Sequence, residues 1–393
     1  MNKIKIFDKQ SNTNVLIAGI FCLMITMGLA RFSYTSLLPS MLEHSLSLTL
    51  AGILTSVNYI GYLTGAILLI FIKNQNTKVN LFRLGIFLCI SSTLFMGVKE
   101  NETVWIIARF IAGFAAAIGF IIGSFIVTTK LNAEDKIKAM GLYFSGVGIS
   151  IVVSDLIARW GLYYYSWEAS WIILSALGML IMAYPLYILS FDEQTNTKND
   201  KSINKETIFT PFIVLLIIVY FTQGVGFVVL TTFFPMIIQT LDGLESIANL
   251  VWIIGGFAAI PSTIIWMRLA SKYGSVNMII CASLIQLFGI IIPTITMNPL
   301  INILAAIFFG GTIPGIVALF LNLAGNLVKE NAVLLISILT IAYGLGQIIA
   351  PIYTVALTSL SGNYDLALYL TAGIVLVGIL LMYTSKRVMK VVY

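Results

Sequence analysis

Residues 103–129 read TVWIIARFIAGFAAAIGFIIGSFIVTT, and between Glu102 and Lys130 the only charge is Arg109. An α-helix needs about twenty apolar residues to cross a hydrocarbon core roughly 30 Å thick. In that medium the backbone satisfies itself only as helices or closed barrels. Barrel strands would alternate apolar and polar residues in segments of about ten, and this stretch does not alternate. The same pattern recurs at 14–40, 49–72, 79–98, 138–159, 168–190, 211–238, 247–269, 275–295, 299–325, 331–357 and 364–385, which makes twelve expected spans. Composition agrees: of 393 residues, 59% are hydrophobic and 10% charged, with a mean hydropathy of +1.00. A typical soluble domain carries roughly 25% charged residues. The expected fold class is therefore all-α and membrane-embedded, with twelve transmembrane helices.

Connections are short except one. Residues 191–210 are polar and carry Asp192, Glu193, Lys198, Asp200, Lys201, Lys205 and Glu206. They read as a hydrated cytoplasmic linker between an N-terminal six-helix bundle, 1–190, and a C-terminal one, 211–393. With the N-terminus placed in the cytoplasm, eighteen of the 22 basic residues fall on that side. They are Lys3, Lys5, Lys9, Lys73, Lys78, Arg83, Lys130, Lys136, Lys138, Lys198, Lys201, Lys205, Arg268, Lys272, Lys329, Lys386, Arg387 and Lys390. Only Lys99 and Arg159 fall outside, and Arg31 and Arg109 lie within spans. This asymmetry places both termini in the cytoplasm. It also accounts for the net charge of +6 without a nucleic-acid partner. The abundant Ile, Asn and Lys suit an AT-rich bacterial genome, so the expected location is a bacterial cytoplasmic (inner) membrane.

Other classes find little material. Cys22, Cys89 and Cys281 all fall in apolar runs and read as small buried hydrophobes. His44, the single histidine, lies in a short loop, so no metal site is expected. No nucleophile elbow, paired-histidine motif or phosphate-binding glycine-lysine loop occurs. The chain is expected to be neither an enzyme nor an ATP-driven pump, and to need no cofactor.

The halves repeat. Gly28 and Pro39 recur as Gly224 and Pro235, and Thr35-Ser36 as Thr231-Thr232, at an offset of 196 residues. Gly146-Val147-Gly148 recurs as Gly344-Leu345-Gly346 at 198, and Gly113 as Gly310 at 197. Three matches at a near-constant offset point to two parallel six-helix repeats, an arrangement expected of a transporter.

Over nearly its whole length the sequence resembles the major facilitator superfamily. Arg109-Phe110-Ile111-Ala112-Gly113 matches that family's arginine-x-x-x-glycine signature of the fourth helix. The glycine-rich stretch from Gly141 to Gly148 is similar to its helix-five motif, without the usual Gly-Pro step. Arg268-Leu269-Ala270-Ser271-Lys272-Tyr273-Gly274 is similar to its gating-loop signature, with Arg268, Lys272 and Gly274 as the gating residues. The partner loop, Lys73 to Lys78, lacks the expected aspartate and glycine. Gly28-Leu29-Ala30-Arg31-Phe32-Ser33-Tyr34-Thr35 with Leu38-Pro39, and Gly344-Leu345-Gly346-Gln347 with Pro351, resemble the YbfB/YjiJ branch. The resemblance implies two pseudo-symmetric bundles with a solute site lined by the first and fourth helices among others.

Charges inside a membrane are costly and mark function. Three sit well within spans: Arg31, Arg109 and Asp155. At about 1.5 Å per residue they lie roughly nine, six and four residues from the outer ends of their helices. Arg31 and Arg109 are expected to bind an anionic group of the substrate, since a guanidinium fork matches carboxylate or phosphate and stays charged. Arg109 could instead cap backbone carbonyls or pair with Asp155. Asp155, the sole embedded carboxylate, is the candidate for proton coupling, with a simple ion pair to Arg159 one turn away as the alternative. Tyr34, Thr35, Asn58 and Tyr59 in the first half, and Gln223, Thr231, Asn322, Tyr343 and Gln347 in the second, are further substrate-binding candidates. Pro261, Pro293, Pro314 and Pro351 read as kinks. Trp105, Trp167, Trp171 and Tyr163 to Tyr165 read as interfacial anchors.

Together these observations describe a monomeric secondary active transporter in a lipid bilayer, moving a small anionic or zwitterionic solute by alternating access with H+ as coupling ion. Efflux of amphipathic drugs is the alternative within transport. A ligand-binding membrane receptor is the alternative from another class.

Overall fold

The computed structural model describes residues 8–9, 11–72, 74–131, 136–190, 210–327 and 332–392, with backbone alone at 136–138, 332–333 and 387–392. Twelve of its helices are long and apolar enough to cross a membrane. In chain order they are α1 Asn12–His44, α2 Leu48–Phe71, α3 Gln75–Val98, α4 Glu102–Lys130, α5 Ala139–Tyr164, α6 Trp167–Ile188, α7 Pro211–Gln239, α8 Glu245–Tyr273, α9 Ser275–Thr294, α10 Pro299–Leu327, α11 Leu334–Ser361 and α12 Asp365–Lys386. Each expected span overlaps one of them. The linker at 191–210 lies outside the described residues except for Thr210, as do Lys3, Lys5, Lys73, Lys198, Lys201, Lys205 and Lys329.

Side chains start these helices where the first N–H groups lack partners. Ser47 Oγ accepts from the Leu50 N–H at 3.2 Å, and Asn101 Oδ1 accepts from the Val104 N–H at 3.1 Å. Asn74 Oδ1 accepts from Asn76 and Thr77. Thr210 and Asn298 cap helices whose first residue is proline, Pro211 and Pro299, which needs no donor partner there.

The chain divides into two compact units, Met1–Thr195 and Asn196–Tyr393. Within the first, α2 packs on α4, α3 on α6 and α1 on α5. Within the second, the corresponding pairs are α8 on α10, α9 on α12 and α7 on α11. Glycine decides the closest crossings. A Cβ at Gly113 of α4 would collide with the Asn58 carbonyl of α2, and one at Gly310 of α10 with the Gly255 carbonyl of α8. Asn58 and Gly255 are 197 residues apart, the same offset as Gly113 and Gly310. The repeat read from glycine spacing is thus a repeat of backbone crossings.

Three expectations need correction. Arg268 to Tyr273 do not form a loop: α8 continues through them and ends at Gly274, whose φ of +86° suits glycine and whose N–H caps the Ala270 carbonyl. Lys78 likewise lies in the first turn of α3. Trp105, Trp167 and Trp171 are not surface anchors but are buried. Trp105 donates from Nε1 to the Met96 carbonyl at 3.2 Å and meets the Trp167 ring edge-on. The indole N–H, which suits a wet interface, also suits a last-turn carbonyl that lacks an intrahelical partner inside a bundle. Tyr163, Tyr164 and Tyr165 are exposed, as anchors would be.

Candidate functional site

Helix α1 changes its winding at its centre. Met24–Phe32 is π-helical, and the Ser33 N–H donates to the Gly28 carbonyl five residues back. A return from i−5 to i−4 pairing skips a carbonyl, and a buried carbonyl must find another donor. The Leu29 carbonyl accepts from Ser33 Oγ at 2.5 Å and from Thr93 Oγ1 of α3 at 3.5 Å. Gly28 lets α5 pass close by, since a Cβ there would stand 2.9 Å from the Ser150 carbonyl. The widened turn carries Arg31.

Arg31 is 9% exposed and Arg109 3%. The Arg31 guanidinium sits over two tyrosines of α2, with Cζ 4.8 Å from the Tyr59 ring centre and 4.5 Å from that of Tyr62. Its Nη1 reaches Met27 Sδ at 3.6 Å, and its buried Nη2 has no hydrogen-bond partner. The Arg109 guanidinium lies over Tyr34 at 4.3 Å and donates from Nη1 to the Ala30 carbonyl at 3.1 Å, while its Nε is buried without a partner. Asn58 Nδ2 donates to the Arg109 carbonyl at 2.9 Å, and Tyr34 donates to the Ala51 carbonyl at 3.2 Å. Thr35 is buried nearby in α1. Neither arginine has a carboxylate partner among the described residues. A tyrosine face returns about 0.5–2 kcal/mol to a cation but does not neutralise it. Among the described residues the two charges therefore have no carboxylate to offset them; ring faces and backbone hold them, and Arg31 Nη2 and Arg109 Nε are left unpaired.

Asp155 is not their counter-ion. It is fully buried and accepts both guanidinium contacts of Arg159, at 2.6 Å from Nε and 3.1 Å from Nη2. Arg109 thus caps a backbone carbonyl and does not pair with Asp155, which instead pairs with Arg159 at i,i+4.

The second unit gathers a different set. Tyr220, Gln223 and Phe227 share one face of α7. The Tyr343 ring of α11 stacks on Tyr220 at 4.6 Å and meets Phe227 at 5.9 Å, and Phe320 of α10 stacks on Tyr220 at 4.4 Å. Gln223 is 1% exposed, and neither its Oε1 nor its Nε2 has a hydrogen-bond partner. Gln347 is buried one turn beyond Tyr343. Thr231 donates to the Phe227 carbonyl within its own helix at 2.6 Å. Asn322 bonds Ser275 Oγ at the start of α9 at 3.4 Å, an interhelical tie. Lys272 lies over Tyr273 on the last turn of α8.

Sequence reasoning missed Tyr62, Tyr220, Phe227 and Phe320. The i, i+3 spacing of Tyr59 and Tyr62 on α2 was the available signal.

Residues 23–383 match a family described as "Uncharacterised MFS-type transporter YbfB". No curated protein matches the sequence. Among solved structures, the crystal structure of a mutant of nucleoside transporter NupG is similar with a TM-score of 0.72 at 15% identity, covering 96% of this chain and 100% of that one. At that identity the likeness concerns the fold.

Proposed function

The chain belongs to the family of MFS-type transporters typified by YbfB, and from that premise we propose that it moves a small organic solute whose anionic group is bound by Arg31 and Arg109. The observation that carries this reading is the pair of buried guanidiniums with no carboxylate partner and with N–H donors unused. A buried charge in a membrane protein costs several kcal/mol unless something offsets it. A carboxylate or phosphate on the solute offsets two at once and accepts the spare donors. Tyrosine rings lie against both guanidiniums, and Arg31 Nη2 and Arg109 Nε are left without a partner for the ligand to meet.

Proton coupling is assigned to Asp155, whose protonation would release Arg159 and change the α5 end. The protein works as a monomer in a bacterial cytoplasmic membrane, with both termini cytoplasmic. Detergent-purified protein should be stabilised by small carboxylates or phosphates, since ligand binding raises the melting temperature by mass action. That stabilisation should vanish in Arg31→Ala. Stabilisation by lipophilic cations, undiminished by the substitution, would turn the reading to drug efflux.

A further inference from the structure

We infer that the second unit holds a recognition element of its own, the Gln223 side-chain amide on the aromatic face of α7, which takes an uncharged planar group with adjacent hydrogen-bond donor and acceptor, as in a lactam or carboxamide. The inference rests on the transporter reading and is independent of the anion assigned to Arg31 and Arg109.

Gln223 is 1% exposed, yet its donor and its acceptor both lack partners. Burying an amide without hydrogen bonds is unfavourable, and folded chains rarely leave both ends of one unsatisfied. Elsewhere buried amides have at least one end paired: Asn58 Nδ2 donates to the Arg109 carbonyl, and Asn302 Nδ2 to the Thr296 and Asn298 carbonyls while its Oδ1 is left without a partner. A single group that satisfies both ends of a planar amide is another amide-type edge, donor beside acceptor.

The surroundings suit the rest of such a group. Tyr220 lies three residues before Gln223 and Phe227 four after, so the three side chains form one stripe. Both rings meet Tyr343, at 4.6 and 5.9 Å, which places aromatic surface on either side of the amide along the helix. At the repeat offset of 196 the residue corresponding to Gln223 is Met27, whose sulfur accepts from Arg31. At the same offset Arg31 corresponds to Phe227, so the two units carry different chemistry at equivalent positions of α1 and α7.

The test is thermal unfolding of the full chain in detergent with uracil or nicotinamide, and with 1,3-dimethyluracil as the probe lacking N–H donors. The wild type should melt several degrees higher with uracil or nicotinamide and be unmoved by the dimethyl compound. Gln223→Met should abolish both responses, while its ligand-free melting temperature stays at or above that of the wild type because two unsatisfied atoms are gone. No response to either probe, a response equal to that of 1,3-dimethyluracil, or one that survives Gln223→Met would overturn the inference. A Gln223→Met protein that melts lower without ligand would do so too, by showing the amide to be a structural tie. Carboxylate stabilisation and its loss in Arg31→Ala are read separately, so either assignment can fail alone.

Discussion

Arg109 Nη1 donates to the carbonyl of Ala30 at 3.1 Å, so the guanidinium of α4 is fastened to α1 one residue before Arg31. The bond reaches the π-helical turn that carries Arg31, and it makes the two charges parts of one unit. Replacing Arg109 with lysine keeps the charge but not the fork that serves Ala30 and Tyr34 together. Arg109→Lys should lower anion affinity about tenfold, and melting by several degrees, roughly the effect of one lost charged hydrogen bond at about 1.5–3 kcal/mol. Titration of a stabilising anion into both proteins checks this.

The Asp155–Arg159 pair is asymmetric in burial, with 0% of the aspartate side chain exposed and 22% of the arginine side chain. Removing Asp155 leaves an arginine that can turn to the surface. Removing Arg159 strands a carboxylate inside. Arg159→Gln should therefore destabilise by about 3 kcal/mol or more and Asp155→Asn by roughly 1 kcal/mol. Chemical denaturation of both variants gives the order. Uptake by Asp155→Asn vesicles that still followed an imposed pH gradient would remove Asp155 from coupling.

Gly113 and Gly310 allow the two equivalent crossings, at Asn58 and Gly255. Alanine at either position should cost about 1–3 kcal/mol or force the helices apart. At Gly373, where a Cβ would meet open space, alanine should be tolerated or stabilise by about 0.5–1 kcal/mol. Melting temperatures of the three variants decide it.

Trp105→Phe should cost about 1 kcal/mol, because the Met96 carbonyl loses its donor while the packing against Trp167 is largely kept. An anchor at the lipid surface would show no such loss.

Much of the fold was legible in the sequence because hydropathy depends on residue identity alone. The runs around Arg109 and Gly224 announce their spans whatever their neighbours are. The embedded charges Arg31, Arg109 and Asp155 were legible for the same reason. What hydropathy does not encode is which face of a helix meets which neighbour. Trp105 looks the same to it inside a bundle or at the lipid surface, and Arg268 to Tyr273 look like a loop because charge ends the apolar run without ending the helix. The π-helical turn at Met24–Phe32 leaves no mark in apolar content, since it changes carbonyl pairing and not composition. Tyr220 was likewise invisible until the helices were packed.

On the proposed function, Arg31 is a buried charge kept for a ligand and not for the fold. The most direct measurement is thermal unfolding of wild-type and Arg31→Met protein, each alone and with small carboxylates and phosphates. An unneutralised buried ion replaced by an apolar side chain of similar length leaves a protein at least as stable. Arg31→Met should melt at or above the wild type without ligand and no longer respond to anions. A variant that melts lower yet keeps the full anion response would contradict it, and would make Arg31 a structural residue.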